Sequence, residues 1–316
     1  LETSFCTQTT PAVRVSATLP GQAGKGGERI SMRAKIESGE FVILAEMEPP
    51  KGVDVKAMTS SASRVKGLVD AFVVPEMNSA VMRMSSLGGS ILLQNRGLPA
   101  VMQVNCRDRN RLALQADLLA ASACGIRNVM AVTGDDTRFG DHHQAKAVYD
   151  IEIMELLEGI AKLAHGRDMA GIELQGSPDF LVGSTINPML EGPEVDVLHQ
   201  KIEAGASFFT TPAVFDTISW DQFLRKADDS KSKIVPTVLL LKSVGMARYI
   251  DRNLNHIHIP SSLIQRLQKS PDRERESARI AAETIGKLRQ EGFGGVLIST
   301  MGWEQKLPEI IHDIRG

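Results

Sequence analysis

The sequence predicts an α/β fold, a (β/α)8 TIM barrel in a single domain, and three observations carry that prediction. Short runs of β-forming residues recur along the chain and are nearly continuous in apolar character, as strands covered on both faces must be. Helical patterns lie between most of them, and most runs begin about 27 to 29 residues after the previous one, the size of one βα unit. Composition shows no break that would mark a second domain: 42% of residues are hydrophobic and 23% charged throughout an ordinary globular sequence. A doubly wound sheet is the competing architecture. Its first βα turn would carry Gly-x-Gly-x-x-Gly, and here that turn reads Glu46-Met47-Glu48-Pro49-Pro50-Lys51-Gly52.

Taken in order, residues 1–31 are rich in Ser, Thr, Pro and Gly, lack periodicity, and are expected to be a disordered N-terminal extension. They lack the apolar stretch of a secretory signal, and Gly24-Lys25-Gly26-Gly27 has neither the Ser or Thr nor the preceding strand of a phosphate loop. Met32 opens a helix-then-strand pattern and is a candidate start, so the barrel domain is expected over 32–316. Strands are expected at Phe41–Glu46, Ala71–Pro75, Ala100–Asn105, Asn128–Thr133, Phe180–Thr185, Ser207–Thr211, Ile234–Leu240 and Gly295–Thr300. Gly171–Gln175 is an alternative for the fifth. Helices are expected over Arg111–Cys124, where Leu112, Leu114, Leu118 and Leu119 recur, and over Ile151–Ala164, Val195–Ala204, Trp220–Lys226 and Arg273–Arg289.

Charge and cysteine content narrow the function. With 36 basic and 38 acidic residues the net charge is −2, which disfavours a basic grip on nucleic acid. No apolar stretch is long enough for a membrane span. Cys6, Cys106 and Cys124 form no C-x-x-C pair, which disfavours a disulfide scaffold, a zinc site or an iron–sulfur cluster and fits a reducing, cytoplasmic setting.

In a barrel, polar residues at the C-terminal ends of strands face the active site. In order they are Glu46; Asn78; Asn105 with Arg107 and Asp108; Asp135 with Asp136; Asn187; Thr210 with Thr211; Lys242; and Thr300 with Trp303. Any strand must end in a polar loop, so each residue alone says little; the ring says more. Glu46 is the most unusual member because it ends the apolar run Val42-Ile43-Leu44-Ala45. Burial, and Glu48 two residues on, favour its protonated form, and a neutral carboxyl can give a proton to a substrate nitrogen. The alternative is a structural ion pair with Lys51 or Lys242. Asp135-Asp136 opens a long loop reaching Tyr149, which is the mark of a binding loop or lid. Two acids are too few oxygens for a hard cation, and His142-His143 and His256-x-His258 fall short of a zinc pattern, so no metal is expected.

These residues carry a resemblance. Ala45-Glu46-Met47-Glu48-Pro49-Pro50, Asn78-Ser79, Thr133-Gly134-Asp135 and Asp141-His142 with Ala145-Lys146-Ala147-Val148-Tyr149-Asp150 occur in sequence order. Asn187-Pro188, Lys201-x-x-Ala204-Gly205-Ala206, Phe209-Thr210-Thr211-Pro212-Ala213-Val214-Phe215-Asp216 and Met301-Gly302-Trp303-Glu304 follow. Together, over about residues 35–315, the chain resembles the methylenetetrahydrofolate reductase family, in its short, prokaryotic-type branch.

The resemblance implies an FAD-dependent flavoprotein of one-carbon metabolism that reduces 5,10-methylenetetrahydrofolate to 5-methyltetrahydrofolate. Glu46 matches the family's acid, and Asp135 the carboxylate near pterin and flavin, so both are expected to be catalytic and to bind substrate. Asn187 and Lys201 match FAD contacts, and Asn78, Asn105, Asp108 and Tyr149 are expected in the cofactor pocket. Thr211 is expected to contact substrate. Implied partners are methylenetetrahydrofolate and either NAD(P)H or an electron-transfer subunit, with a homo-oligomer as the expected assembly. The chain departs from the family at Met47-Glu48, where Phe-Phe is common, and at Pro212, where a Gln usually contacts the pterin. Gln103 replaces a His and Thr133 an Arg. The lost amide at Pro212 motivates the alternative of a non-catalytic pterin-binding or complex-forming subunit.

Overall fold

Eight parallel strands close on themselves in chain order. The computed structural model describes residues 30–189 and 194–314, except for the side chains of 228 and 229, so all of the expected N-terminal extension but Ile30 and Ser31 lies outside the described residues. The strands are β1 (Val42–Glu46), β2 (Ala71–Val74), β3 (Ala100–Asn105), β4 (Asn128–Val132), β5 (Leu181–Thr185), β6 (Phe208–Ala213), β7 (Ile234–Leu239) and β8 (Gly295–Ser299). β1 pairs with both β2 and β8, which closes the barrel. The (β/α)8 barrel predicted from the apolar runs is the observed fold. The fifth strand is Leu181–Thr185, while the Gly171–Gln175 region contributes only an isolated bridge between Arg167 and Glu173.

The helices are α1 (Met32–Ser38), α2 (Lys56–Arg64), α3 (Ser86–Gln94), α4 (Arg111–Ala123), α5 (Ile153–Ala164), α6 (Glu194–Glu203), α7 (Asp221–Lys226), α8 (Val244–Asn253), α9 (Ser261–Lys269), α10 (Arg273–Gln290) and α11 (Leu307–Asp313). Local chemistry sets their ends. Ser31 caps α1 by accepting from the Ala34 amide at 3.2 Å, and Gly39 ends the helix in the left-handed conformation. Glu152 and Glu155 form a capping box that starts α5 two residues later than the apolar pattern alone indicates. In α4 only Leu114, Leu118 and Ala121 are buried. Leu112 and Leu119, counted by the sequence pattern as part of the apolar stripe, are exposed, because helical spacing turns them away from the sheet.

Alternation along the strands divides the core in two. Val42, Leu44, Val73, Val101, Met130, Leu181, Phe208, Val235 and Leu297 fill the barrel interior. Met32 is buried in the same cluster with Ile36 packed against it, so α1 covers the N-terminal floor. Gly183 leaves room for the Phe208 ring: a Cβ there would lie 2.3 Å from Cζ. The outward set, including Ile43, Ala45, Phe72, Val74, Val104, Val129 and Ala131, packs on the helices through Leu114, Leu118, Leu156 and Ile160. This two-sided burial is why the strands read as unbroken apolar runs. Pro212 cannot donate to the ladder, and the β6–β7 register shifts between Thr210 and Ala213.

Candidate active site

Because Val42 and Leu44 point inward, period-two alternation sends Glu46 inward too, one layer higher and at the C-terminal mouth. Its Oε1 accepts from the Ser299 hydroxyl at 2.9 Å. Burial is the main cause raising its carboxyl above the ordinary 4.5; the Ser299 bond opposes this, Glu48 and Glu304 add to it, and a bond from Asn78 opposes it more weakly. The ion pair considered from the sequence is absent among the described residues. Lys51 pairs with Asp141, and Lys242 holds its Nζ 5.5 Å from the centre of the Trp303 ring. Glu48 pairs with Arg83 at 2.8 Å. Among the described residues the acid beside the barrel axis is therefore left without a cation.

A cavity of about 300 Å³ opens at this mouth, lined by Glu76, Asn78, Gln103, Val132, Thr133, Gly134, Asp135 and Thr185. Asp135 accepts the Ser79 amide on Oδ2 at 2.6 Å. That amide belongs to a strained turn in which Met77, Ser79 and Ala80 hold φ of 52°, 54° and 56°, at a cost of about 1 kcal/mol or more each. Gln103 accepts the Glu76 amide on Oε1 at 3.1 Å, and its amide nitrogen has no bond to any described residue.

Behind the cavity wall lies a buried polar network. Arg107, 1% exposed, makes paired bonds of 2.7 Å to both oxygens of Asp108. It also donates to the carbonyls of Asp135 at 3.0 Å and Met77 at 3.3 Å. Asn105 donates to Asp108 at 2.8 Å and to the Glu76 carbonyl at 3.2 Å. Burial works to raise the Asp108 carboxyl, but the bonds from Arg107 and Asn105 outweigh it and hold the group below the ordinary carboxylate value. Glu76 accepts the Ser86 amide that opens α3 at 2.7 Å and pairs with Arg109 at 3.2 Å.

The remaining expected residues divide. Tyr149, with φ 41°, donates to the Gly134 carbonyl at 3.4 Å and stands on the rim. Asn187 donates its amide to Glu194 at 2.8 Å, and its side chain accepts the Met189 amide. Lys201 is buried beneath the end of β5 and donates to the Thr185 carbonyl at 2.7 Å. Burial lowers its ammonium, with Glu194 opposing. Thr211 is not brought to the cavity: its hydroxyl donates to the Pro212 carbonyl and accepts the Thr237 amide in the β6–β7 seam. Asp136 caps the next turn and pairs with Arg138 away from the cavity lining. Asn105 and Asp108 serve the network behind the wall.

Sequence reasoning did not single out Ser299, Thr185, Glu76 or Glu304 as site residues, and it met Gln103 only as a departure. Strand alternation would have found Ser299, since Leu297 is inward. Glu76 was visible as a carboxylate just beyond an apolar run, the same signal that marked Glu46. Cys106 is buried and its thiol is pushed up to about 11, by burial first and then by Glu155 and Glu152, the opposite of the shift that activates a thiol. Among the described residues no group of three or more His, Cys, Asp or Glu is placed to hold a metal ion, and no helix is long and apolar enough to cross a membrane.

The donor set fits a flavin. The cavity is of ligand size, and Gln103 and Asn78 offer amides to the polar edge of a heterocycle. Lys201 has three donors and a single carbonyl partner among the described residues, which suits an acidic cofactor group.

Residues 31–315 match the family model described as methylenetetrahydrofolate reductase. The chain is 26% identical over 263 residues to methylenetetrahydrofolate reductase 2 of Schizosaccharomyces pombe, covering 79% of this chain and 41% of that protein. It therefore spans less than half the length of that curated relative. Among solved structures, EDTA monooxygenase (EmoA) from Chelativorans sp. BNC1 superposes with a TM-score of 0.53 at 11% identity, over 87% of this chain and 93% of that one, a likeness of fold. With the family match covering the whole barrel, the chain belongs to the methylenetetrahydrofolate reductase family.

Proposed function

We propose that this barrel reduces 5,10-methylenetetrahydrofolate to 5-methyltetrahydrofolate with FAD, and that Glu46 is the general acid. One observation carries the reading: a carboxyl held toward its protonated form, with no cation beside it among the described residues, stands at the mouth of a family barrel next to the cavity that Asp135 lines. FAD bound there supplies a hydride. Glu46 gives its proton to a nitrogen of the substrate's five-membered ring, which opens to the iminium that accepts the hydride as the new methyl hydrogen. The carboxylate left on Glu46 keeps the Ser299 bond and is reprotonated from solvent. Asp135, fixed by the Ser79 amide, orients the pterin against the flavin. Lys201 and Asn187 hold the cofactor, with Asn78 and Tyr149 on its rim. NAD(P)H or a partner subunit supplies the electrons, and a cytoplasmic location and a homo-oligomer go with this reading.

The visible spectrum of the freshly purified protein tests it, followed by addition of NADH or NADPH without oxygen. A flavin band that bleaches and returns with methylenetetrahydrofolate is the expected result. Bound flavin that neither nucleotide reduces points to a partner subunit as the donor. A protein that takes up no flavin even when FAD is supplied overturns the reading in favour of a non-catalytic barrel.

A further inference from the structure

Among the described residues Arg107 has the largest of the fully buried side chains, and its guanidinium makes four hydrogen bonds where three loops meet. Its own loop follows β3. Through the Met77 carbonyl it holds the loop after β2, and through the Asp135 carbonyl the loop after β4. Its main-chain carbonyl accepts the Val148 amide at 2.7 Å, tying in the far end of the long β4 loop. Gly134 passes so close that a Cβ there would lie 2.9 Å from the Arg107 Cβ. Asp108 orients the guanidinium from the opposite side and is itself aligned by Asn105.

The two carbonyls that Arg107 holds flank the strained turn. Met77 begins it, and the Asp135 side chain accepts the amide of Ser79 within it. A turn with three non-glycine residues at positive φ persists only where its surroundings over-determine it, and such strain clusters at functional sites. Here the guanidinium and the Asp135 carboxylate are two of its restraints, and Asn78 of the same turn lines the cavity.

We propose that Arg107 is a positioning residue that sets the Asp135 carboxylate and the 77–80 turn in their working geometry by bridging the β2 and β4 loops. It touches neither substrate nor flavin; it acts through Asp135 and the turn. The consequence for turnover rests on the reductase reading above, whereas the geometric claim does not.

The test combines amide hydrogen exchange with half-reaction kinetics. Arg107→Lys keeps the charge but cannot reach Asp108, Asp135 and Met77 together. In the folded variant the Ser79 amide is expected to lose its protection while amides within β1 and β8 keep theirs. Reoxidation of the reduced flavin by methylenetetrahydrofolate is expected to slow by about 100-fold, the scale of a sub-ångström to ångström misplacement. In an Asp135→Asn background the same Arg107→Lys change is expected to slow it far less, since the shared group is already altered. Should Arg107→Lys fail to fold, Asp108→Asn, at a partly exposed site, loosens the same guanidinium and is expected to give a milder loss of Ser79 protection. Unchanged Ser79 protection in whichever variant folds, or effects of Arg107→Lys and Asp135→Asn that simply multiply, would overturn the proposal. A wild-type flavin that methylenetetrahydrofolate does not reoxidise counts against the reductase reading instead, and Ser79 protection then decides the role of Arg107 alone.

Discussion

Ser299 donates its hydroxyl to Glu46 at 2.9 Å across the seam where β8 meets β1, joining residues 253 positions apart. This bond opposes the effect of burial on the carboxyl.

Glu46→Gln is expected to keep FAD and lose folate reduction by about 100- to 10,000-fold, the usual worth of a positioned general acid. In the wild type the rate should fall as pH rises through the elevated Glu46 value, and that alkaline limb should vanish in the variant. Stability follows the same sign. The raised carboxyl favours the folded state fully below about 4.5 and loses that contribution as pH rises, so the wild type should weaken relative to Glu46→Gln over that window. Denaturant midpoints against pH measure it; parallel curves would refute the shift.

Ser299→Ala removes the interaction that lowers Glu46, so the alkaline limb of folate reduction should move to higher pH. The lost hydrogen bond should cost about 1 kcal/mol of stability. A pH–rate profile of the variant that overlays the wild type would exclude this coupling.

Lys201→Met should weaken FAD binding by about 10- to 150-fold, the loss of one charge-assisted bond of about 1.5–3 kcal/mol. Without FAD the sign reverses. Burial lowers the ammonium below its ordinary 10.5, so the charged lysine burdens the fold at neutral pH and that burden lifts as pH rises toward 10.5. The variant should gain stability most near neutrality; flavin fluorescence titration and urea unfolding at several pH values check both effects.

Gly134→Ala places a methyl 2.9 Å from the Arg107 Cβ on a backbone at φ +90°. The expected cost is about 1–3 kcal/mol, with loss of flavin affinity because the cavity wall must shift. Thermal unfolding and FAD titration of the same preparation test whether the two losses arrive together.

The barrel was legible in the sequence because each strand is buried on both faces and so reads as an apolar run. Glu46 was legible for the same reason, as a carboxylate that ends such a run. The pairing of Ser299 with Glu46 was not, since a small hydroxyl within Leu-Ile-Ser-Thr carries no local sign that its partner lies at the other end of the chain. Arg107 was named in the ring of strand-end residues, but its burial was not legible, because only the meeting of three loops produces it. Thr211 was expected to face substrate, but Phe208 points inward, so alternation turns Thr211 outward with Phe209 and its hydroxyl sits in the β6–β7 seam. Spacing along the strand reports that face once one inward residue, here Phe208, fixes the register.

The helix that precedes the first strand also governs traffic. Among the described residues Met32 and the Phe208 ring stopper the lower end of the barrel, so a ligand beside Glu46 has the opposite, C-terminal mouth as its approach.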